Sequence, residues 1–285
     1  MGTIWNNSYI DYLEGITSVG VTVVALIYDM IPITHSHFLP RQEVERFESY
    51  LARMLRSSIR LATISRSSQD EIVKYARDKF GLPRDVAVVP LASSMPPTPA
   101  AASARIADAG LQNVPFVLMA GSFEPRKNQK FLVELWRTAV TRVSEAPALV
   151  FAGGLASAAY FQELQQDARD LDRVLFLYNV TDEELAWLYQ HCLFTAFPSE
   201  AEGWGLPVTE ALDRGKYCLA SDNTSLREVG EGLIFHASLH DRRAWLAELN
   251  TLLGDPRALE ERTQRVRAMH RQRTWADVTR GMMAL

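Results

Sequence analysis

Short apolar runs alternate with longer amphipathic stretches along most of this chain. Val21–Tyr28 (VTVVALIY) is apolar at nearly every position and rich in valine, which predicts a parallel strand covered on both faces. Ahead of it, Tyr9–Val19 reads as a short helix ending near Gly20. Arg41–Ile59 places Val44, Phe47, Leu51 and Leu55 on one stripe, the helical period. Arg60–Ser65 reads as a strand. Ser68 with Glu71 forms a capping box for a helix that stops at Gly81, and Val86–Pro90 reads as a further short strand. From residue 116 the alternation is cleaner, with strands at Phe116–Ala120, Ala148–Ala152, Val174–Leu177, Leu193–Phe197, Tyr217–Ala220 and Leu233–Phe235. Helices fall between them, including Gln129–Val143, Ser157–Asp170 and Thr181–His191, the last capped by Thr181 with Glu184. The tail from Arg242 reads as helical throughout, resuming after Thr274 at Trp275. Strands alternating with helices predict an α/β protein with parallel, doubly wound sheets, which bind ligands outside the carboxyl ends of their strands.

The stretch Ser93–Ala104 (SSMPPTPAAASA) has the Pro, Ser and Ala content of a linker. It divides the chain into a first domain over 1–92, a linker over 93–104, a second domain over 105–270, and a C-terminal helix over 271–285 expected to pack back on the first domain. Two such domains would face each other across a cleft.

Composition narrows the function classes. A net charge of −4 gives no reason to expect nucleic acid as a partner. Two cysteines, Cys192 and Cys218, each inside an apolar run, point to reduced, buried thiols and a cytoplasmic protein. The opening residues MGTIWNNSYIDYLEG lack the basic and apolar blocks of a signal peptide, and no apolar run approaches the length of a membrane span.

Three segments place polar groups at strand carboxyl ends. In GSFEPRKNQ (Gly121–Gln129), Arg126 and Lys127 have the chemistry to neutralise a diphosphate, one as a planar fork and one as a point charge. FAGG (Phe151–Gly154) ends a second strand in paired glycines. EGWGLPVTE (Glu202–Glu210) sets two glutamates either side of Gly203 and Gly205, with Pro207 suited to a first helical turn and Gly215 to that helix's left-handed end. A strand, a glycine-lined bend and a helix N-terminus form an anion site, because free N–H groups and the helix dipole point at the ligand. Elsewhere, His35 and His37 have no third ligand at metal spacing. Asp170-Leu171-Asp172 falls at a helix end, and Glu228 reads equally as a cap partner of Ser225.

The ordered set GSFEPRKN, FAGG, NVTDEELAWLY, FPSEAEGWGLPVTEAL and SLREVG resembles the retaining nucleotide-sugar glycosyltransferases of family four, over most of residues 115–235. LIYDMIP, SRSSQDEI and VAVVPLA match more loosely, and the subgroup resembled is the bacterial mannosyl- and rhamnosyltransferases of O-antigen and other surface polysaccharides. The resemblance implies the GT-B fold, two Rossmann-like domains facing a cleft, with the second domain binding the donor and the first the acceptor. It implies that Arg126 and Lys127 hold the donor diphosphate after Gly121, with Gly153 beside them. Glu202 would face the transferred sugar, with Gly203, Trp204 and Gly205 offering N–H groups to its hydroxyls. Leu206 would stand where the helix N-terminus meets the phosphates, and Glu210 would accept from the ribose hydroxyls. Tyr178, Asn179 and Val180 would seat the base. Asp29, after a strand and before Pro32, reads either as facing the cleft from the acceptor side or as a turn or helix-cap aspartate. Among these, Glu202, Arg126, Lys127 and Asp29 are the catalytic candidates. No metal or other cofactor is implied; GDP-mannose is the favoured donor, with UDP-sugars as the alternative.

Family members begin with a strand and a glycine-rich loop that this chain does not match, so roughly a hundred residues, about one ordinary domain's worth at most, are expected to be missing before Met1. That expectation carries others: exposed apolar sheet edges, hence an oligomer or partner chain, and an alternative role as a non-catalytic nucleotide-sugar-binding subunit. A sugar-nucleotide epimerase of the same fold is a third reading, which the EGWGLPVTE context opposes. Membrane contact from the cytoplasmic face is expected only if the acceptor is a lipid-linked glycan.

Overall fold

The computed structural model describes residues 7–143 and 145–285; residues 1–6 and residue 144 lie outside the described residues. The chain forms two units: Met1–Ala92 with Ala201–Trp204 and Arg273–Leu285, and Ser93–Glu200 with Gly205–Gln272.

In the first unit, helix α1 (Asn7–Ser18) precedes strand β1 (Val24–Leu26), a short helix α2 (Ile31–Thr34), α3 (Arg41–Arg56), β2 (Arg60–Thr63), α4 (Arg66–Phe80) and β3 (Val86–Val88). The strands make a parallel sheet in the order β1-β2-β3. Phe47, Leu51, Met54 and Leu55 of α3 pack with Ile72 and Ala76 of α4 and with Leu61 and Val86 of the sheet. Val21–Tyr28 was expected to be covered on both faces, but its strand is short and only half-buried, with Val21 and Tyr28 exposed. The cause is its place at the sheet edge, where among the described residues it pairs with β2 alone. The predicted Ser68 cap is also corrected. Ser65, extended in backbone, caps α4 by accepting from Ser68 N at 3.0 Å, so Glu71 lies a turn deeper in the helix than a capping box would put it.

The second unit runs α5 (Ala104–Asp108), β4 (Phe116–Ala120), α6 (Gln129–Ala139), β5 (Ala148–Gly153), α7 (Ala158–Asp167), β6 (Val174–Tyr178), α8 (Asp182–His191), β7 (Thr195–Phe197), α9 (Leu206–Asp213), β8 (Cys218–Ser221), β9 (Phe235–Ala237), α10 (Arg242–Gly254) and α11 (Pro256–Met269). Its six-stranded sheet is parallel throughout, in the order β6-β5-β4-β7-β8-β9. The chain winds outward from β4 to β6, then returns to lay β7 on the other side of β4. β4 and β7 therefore lie side by side at this reversal of strand order, the place where such sheets commonly bind ligands. Phe116, Leu118, Val150, Trp187 and Leu188 form the core beneath.

Three further expectations shift. The last strand begins at Phe235 rather than Leu233, because Gly230 and Gly232 (φ 68° and 72°) hold a turn up to Leu233. The helical tail is broken at Asp255, which caps α11 by accepting from Arg257 N and Ala258 N. Ser93–Ala104 counts with the second unit, where Arg214 donates to Thr98 Oγ1 at 2.6 Å and to the Pro96 carbonyl. The last helix, α12 (Trp275–Met283), counts with the first unit, its Val278 packed against Ala62, Val89 and Ala92.

Candidate functional site

In the second unit the polar segments singled out above stand at the ends of β4, β5, β6 and β7. Gly121, at φ 145°, follows β4 and donates its N–H to Ala152 O at 2.9 Å. Gly153 lies so close that a Cβ there would stand 2.1 Å from the Gly121 carbonyl oxygen. Gly153 O in turn accepts from Asn179 N at 2.7 Å, and Gly154 O accepts from Phe123 N at 2.8 Å, so the ends of β4, β5 and β6 are stitched by backbone. Asn179 occupies the left-handed region at φ 52° and its Oδ1 accepts from Leu155 N. Tyr178 is exposed beside it, with the Arg105 guanidinium 5.5 Å from its ring centre and donating to the Tyr178 carbonyl at 2.6 Å.

After β4 the chain makes a tight helical turn over Pro125–Lys127, then passes through left-handed Asn128 into α6. This turn is tied to the bend after β7: the Arg126 carbonyl accepts from Glu200 N at 2.9 Å and from Ser199 Oγ at 3.1 Å. The Arg126 guanidinium donates to Glu124 Oε1 at 2.9 Å, a partner the sequence reading had not assigned it. Lys127 is only 7% exposed, its ammonium 5.2 Å from the ring centre of Phe197. Gly205 (φ 105°) then opens α9, with Pro207 in the first turn. Its φ alone favours glycine, and a Cβ would also meet Leu226 Cδ2 at 2.5 Å.

Glu210, one turn into α9, is partly buried. Burial pushes its carboxyl above the usual range, helped by the charges of Asp182 and Asp213, while a hydrogen bond from Tyr189 and the charge of Lys127 pull the other way. Tyr189 is fully buried on α8 and had not been singled out from the sequence, where it reads as one more core aromatic.

Glu202, Gly203 and Trp204 count with the first unit. Glu202 is 9% exposed. Gly203 lies over Asp29, so that a Cβ would come within 2.8 Å of Asp29 Oδ2; Asp29 Oδ1 accepts from Ile31 N at 3.0 Å, opening α2. The indole N–H of Trp204 is buried and makes no hydrogen bond among the described residues. Leu206 is exposed and Val180 packs on the core of the second unit. Among the described residues no group of His, Cys, Asp and Glu has the arrangement of a metal site. Asp170 instead pairs with Arg137.

Asp29 also bears on a residue the sequence reading used only as a cap. Glu71 lines a cavity of about 460 Å³ with Met30, Lys74, Tyr75, Asp78 and Lys79. Burial and the nearby Asp29 charge push its carboxyl from 4.5 up to about 7. The folded state therefore holds this proton more tightly than the unfolded chain, and the contribution is present in full below about pH 4.5 and lost as pH rises through about 7. Glu71→Gln should leave the melting temperature nearly unchanged at about pH 4 and raise it at about pH 8; thermal unfolding at the two values checks this, and an equal shift at both would remove the titration from the account.

The Glycosyl transferases group 1 family model matches residues 106–270. O-antigen chain mannosyltransferase B of Escherichia coli is 28% identical over 262 residues, covering 90% of this chain and 68% of that protein. O-antigen chain mannosyltransferase RfbU of Salmonella typhimurium is 30% identical over 103 residues, covering 35% of this chain and 29% of its own. Among solved structures, Anabaena HepE in complex with UDP-glucose has a TM-score of 0.75 at 18% identity, over 92% of this chain and 71% of that one. Sucrose-phosphate synthase from Thermosynechococcus elongatus has a TM-score of 0.68 at 20% identity, over 98% and 70%. At such identities the likeness shows the fold, which is GT-B-like with parallel sheets. The family model spans more than half of the chain, from the strand before Arg126 and Lys127 to the helices beyond Glu210, and the chain belongs to the group 1 glycosyl transferases.

Proposed function

We propose that the chain transfers a hexose, mannose-like, from a nucleoside diphosphate sugar to a glycan or lipid-linked glycan acceptor, retaining the anomeric configuration. The observation that carries the reading is the placement of buried Lys127 after β4 and of Glu210 one turn into α9, which follows β7, the strand beside β4 at the sheet reversal. This pairs a buried cation and a helix N-terminus, suited to a diphosphate, with a carboxylate suited to vicinal hydroxyls. The second unit is then the donor-binding domain and the first the acceptor side.

Bond cleavage at the anomeric carbon builds negative charge on the departing diphosphate. Lys127, Arg126 and the N–H groups that open α9 meet that charge where it develops, which lowers the barrier without a metal ion. Glu202 and the N–H groups of Gly203, Trp204 and Gly205 hold the sugar. The Trp204 indole N–H adds a donor whose unmet hydrogen bond a sugar hydroxyl would satisfy. Tyr178, Asn179 and Val180 form the floor for the base, and Asp29 orients the acceptor. The O-antigen mannosyltransferase relatives favour GDP-mannose, while the UDP-glucose complex of HepE keeps a UDP-sugar as the alternative. Among the described residues no helix is long and apolar enough to cross a membrane. A cytoplasmic enzyme touching the membrane only through its acceptor is the reading that fits.

The test compares GDP, UDP and ADP by thermal shift, where a ligand at a hundred times its Kd stabilises by about 2.7 kcal/mol. GDP should give the largest shift; equal shifts would remove the guanine assignment. Release of nucleoside diphosphate in the presence of an oligosaccharide acceptor should accompany binding and be abolished by Glu202→Ala. Binding without release, unchanged by that substitution, favours the second reading, a donor-binding subunit that works beside another chain.

A further inference from the structure

Tyr189 stands in an unusual relation to the candidate ribose carboxylate. Its ring is fully buried on α8 within the core of the second unit. Its hydroxyl reaches two oxygens of the donor-site helix, Glu210 Oε2 at 2.8 Å and the Pro207 carbonyl at 3.1 Å. The other oxygen of Glu210, Oε1, makes no hydrogen bond among the described residues. We propose that Tyr189 is a positioning residue for donor recognition, holding Glu210 Oε2 so that Oε1 is always the acceptor presented to the ribose hydroxyls. The proposal rests on the assignment of Glu210 to the ribose.

A phenol carries one proton and two acceptor lone pairs. With Glu210 ionised, Tyr189 donates to Oε2. With Glu210 protonated, the new O–H sits on Oε2 and donates to the Tyr189 oxygen, and Tyr189 turns its own proton to the Pro207 carbonyl. The Oε2–Oη contact survives in both states, and Oε1 stays a pure acceptor in both. This matters because Glu210 titrates above the usual carboxylate range. The groups facing it are Tyr189 and Asp182 from α8, Asp213 from its own helix and Lys127 from the loop after β4; Cys192 and Cys218 lie beside Tyr189, and both are held protonated by burial. Without the phenol, burial and the two aspartates push Glu210 further up. Its proton is then equally at home on Oε1, where it faces the ribose as a donor instead of an acceptor.

The experiment measures binding of a nucleoside diphosphate and of its 2′,3′-dideoxy counterpart from pH 5.5 to 8.5, for the wild type, Tyr189→Phe, Glu210→Ala and the double variant. Wild type should prefer the ribonucleotide with little change across the range. Tyr189→Phe should lose about tenfold in that preference, the order expected for a hydrogen bond to a charged group, with the loss deepening as pH falls. The dideoxy ligand should bind both proteins alike, which also shows that the variant is folded. In the Glu210→Ala background Tyr189→Phe should change nothing further. A Tyr189→Phe variant that keeps the wild-type preference and pH profile, or that loses both ligands equally, overturns the role of Tyr189. A wild type that binds ribo- and dideoxynucleotides alike overturns instead the assignment of Glu210, and the proposal with it.

Discussion

Gly153→Ala should unfold the second unit at a markedly lower temperature than the wild type. A Cβ at this position would stand 2.1 Å from Gly121 O, 2.5 Å from Gly121 C and 3.1 Å from Ser122 N. All three are backbone atoms, so no side chain can swing away to make room. The end of β4 must move instead, and with it the bonds from Gly121 N to Ala152 O and from Asn179 N to Gly153 O. Overpacking against a rigid wall costs about 1–3 kcal/mol and sometimes more, and this site should fall at or beyond the upper end. For a unit of this size that is a drop of roughly 6–12 °C in melting temperature. Gly154→Ala is the matched control, because a Cβ there meets nothing within 4 Å. Equal melting temperatures for the two variants would show that the close approach carries no strain.

Lys127→Ala should remove most of the turnover while leaving the fold intact. The ammonium is nearly buried and set over the Phe197 ring, and its charge is felt at Glu210. Loss of one group that meets developing charge typically costs 10²–10³ in kcat, about 3 kcal/mol, and kcat should fall by about that factor with a much smaller change in donor KM. Lys127→Arg should not restore it, since a planar fork does not fit a space shaped around a flexible stem and a point charge. Arg126→Ala should cost less, because its guanidinium already shares Glu124. Steady-state kinetics decide the matter: an unchanged kcat in Lys127→Ala would exclude the lysine from the charge-stabilising role.

The bend and helix around Glu202–Glu210 were legible because their signals are local: Gly205 needs a left-handed φ, Pro207 suits a first turn, and Gly215 ends the helix at φ 65°. The Thr181–Glu184 capping box was readable for the same reason. What escaped the sequence depends on groups far apart in the chain. Tyr189 and Glu210 lie 21 positions apart, and only the β7 crossing brings α8 beside α9. The pairing of Asp29 with Glu71 and the approach of Gly203 to Asp29 span longer stretches still. Ser65 outcompeted Ser68 as a cap because extended backbone at Ser65 points its hydroxyl back at the helix, a feature invisible in residue type. The half-burial of β1 follows from its edge position, which hydrophobicity alone does not report.

Cys192 and Cys218 are the only cysteines of the chain, both are buried, and burial pushes each thiol up to about 12. Burial therefore disfavours the reactive thiolate at both positions at neutral pH. The native protein should therefore react only slowly with maleimides and disulfide reagents without any substitution. A single cysteine introduced at an exposed site such as Gln165 on α7 becomes the one address for a fluorophore or spin label, which makes donor binding readable in an otherwise unaltered chain.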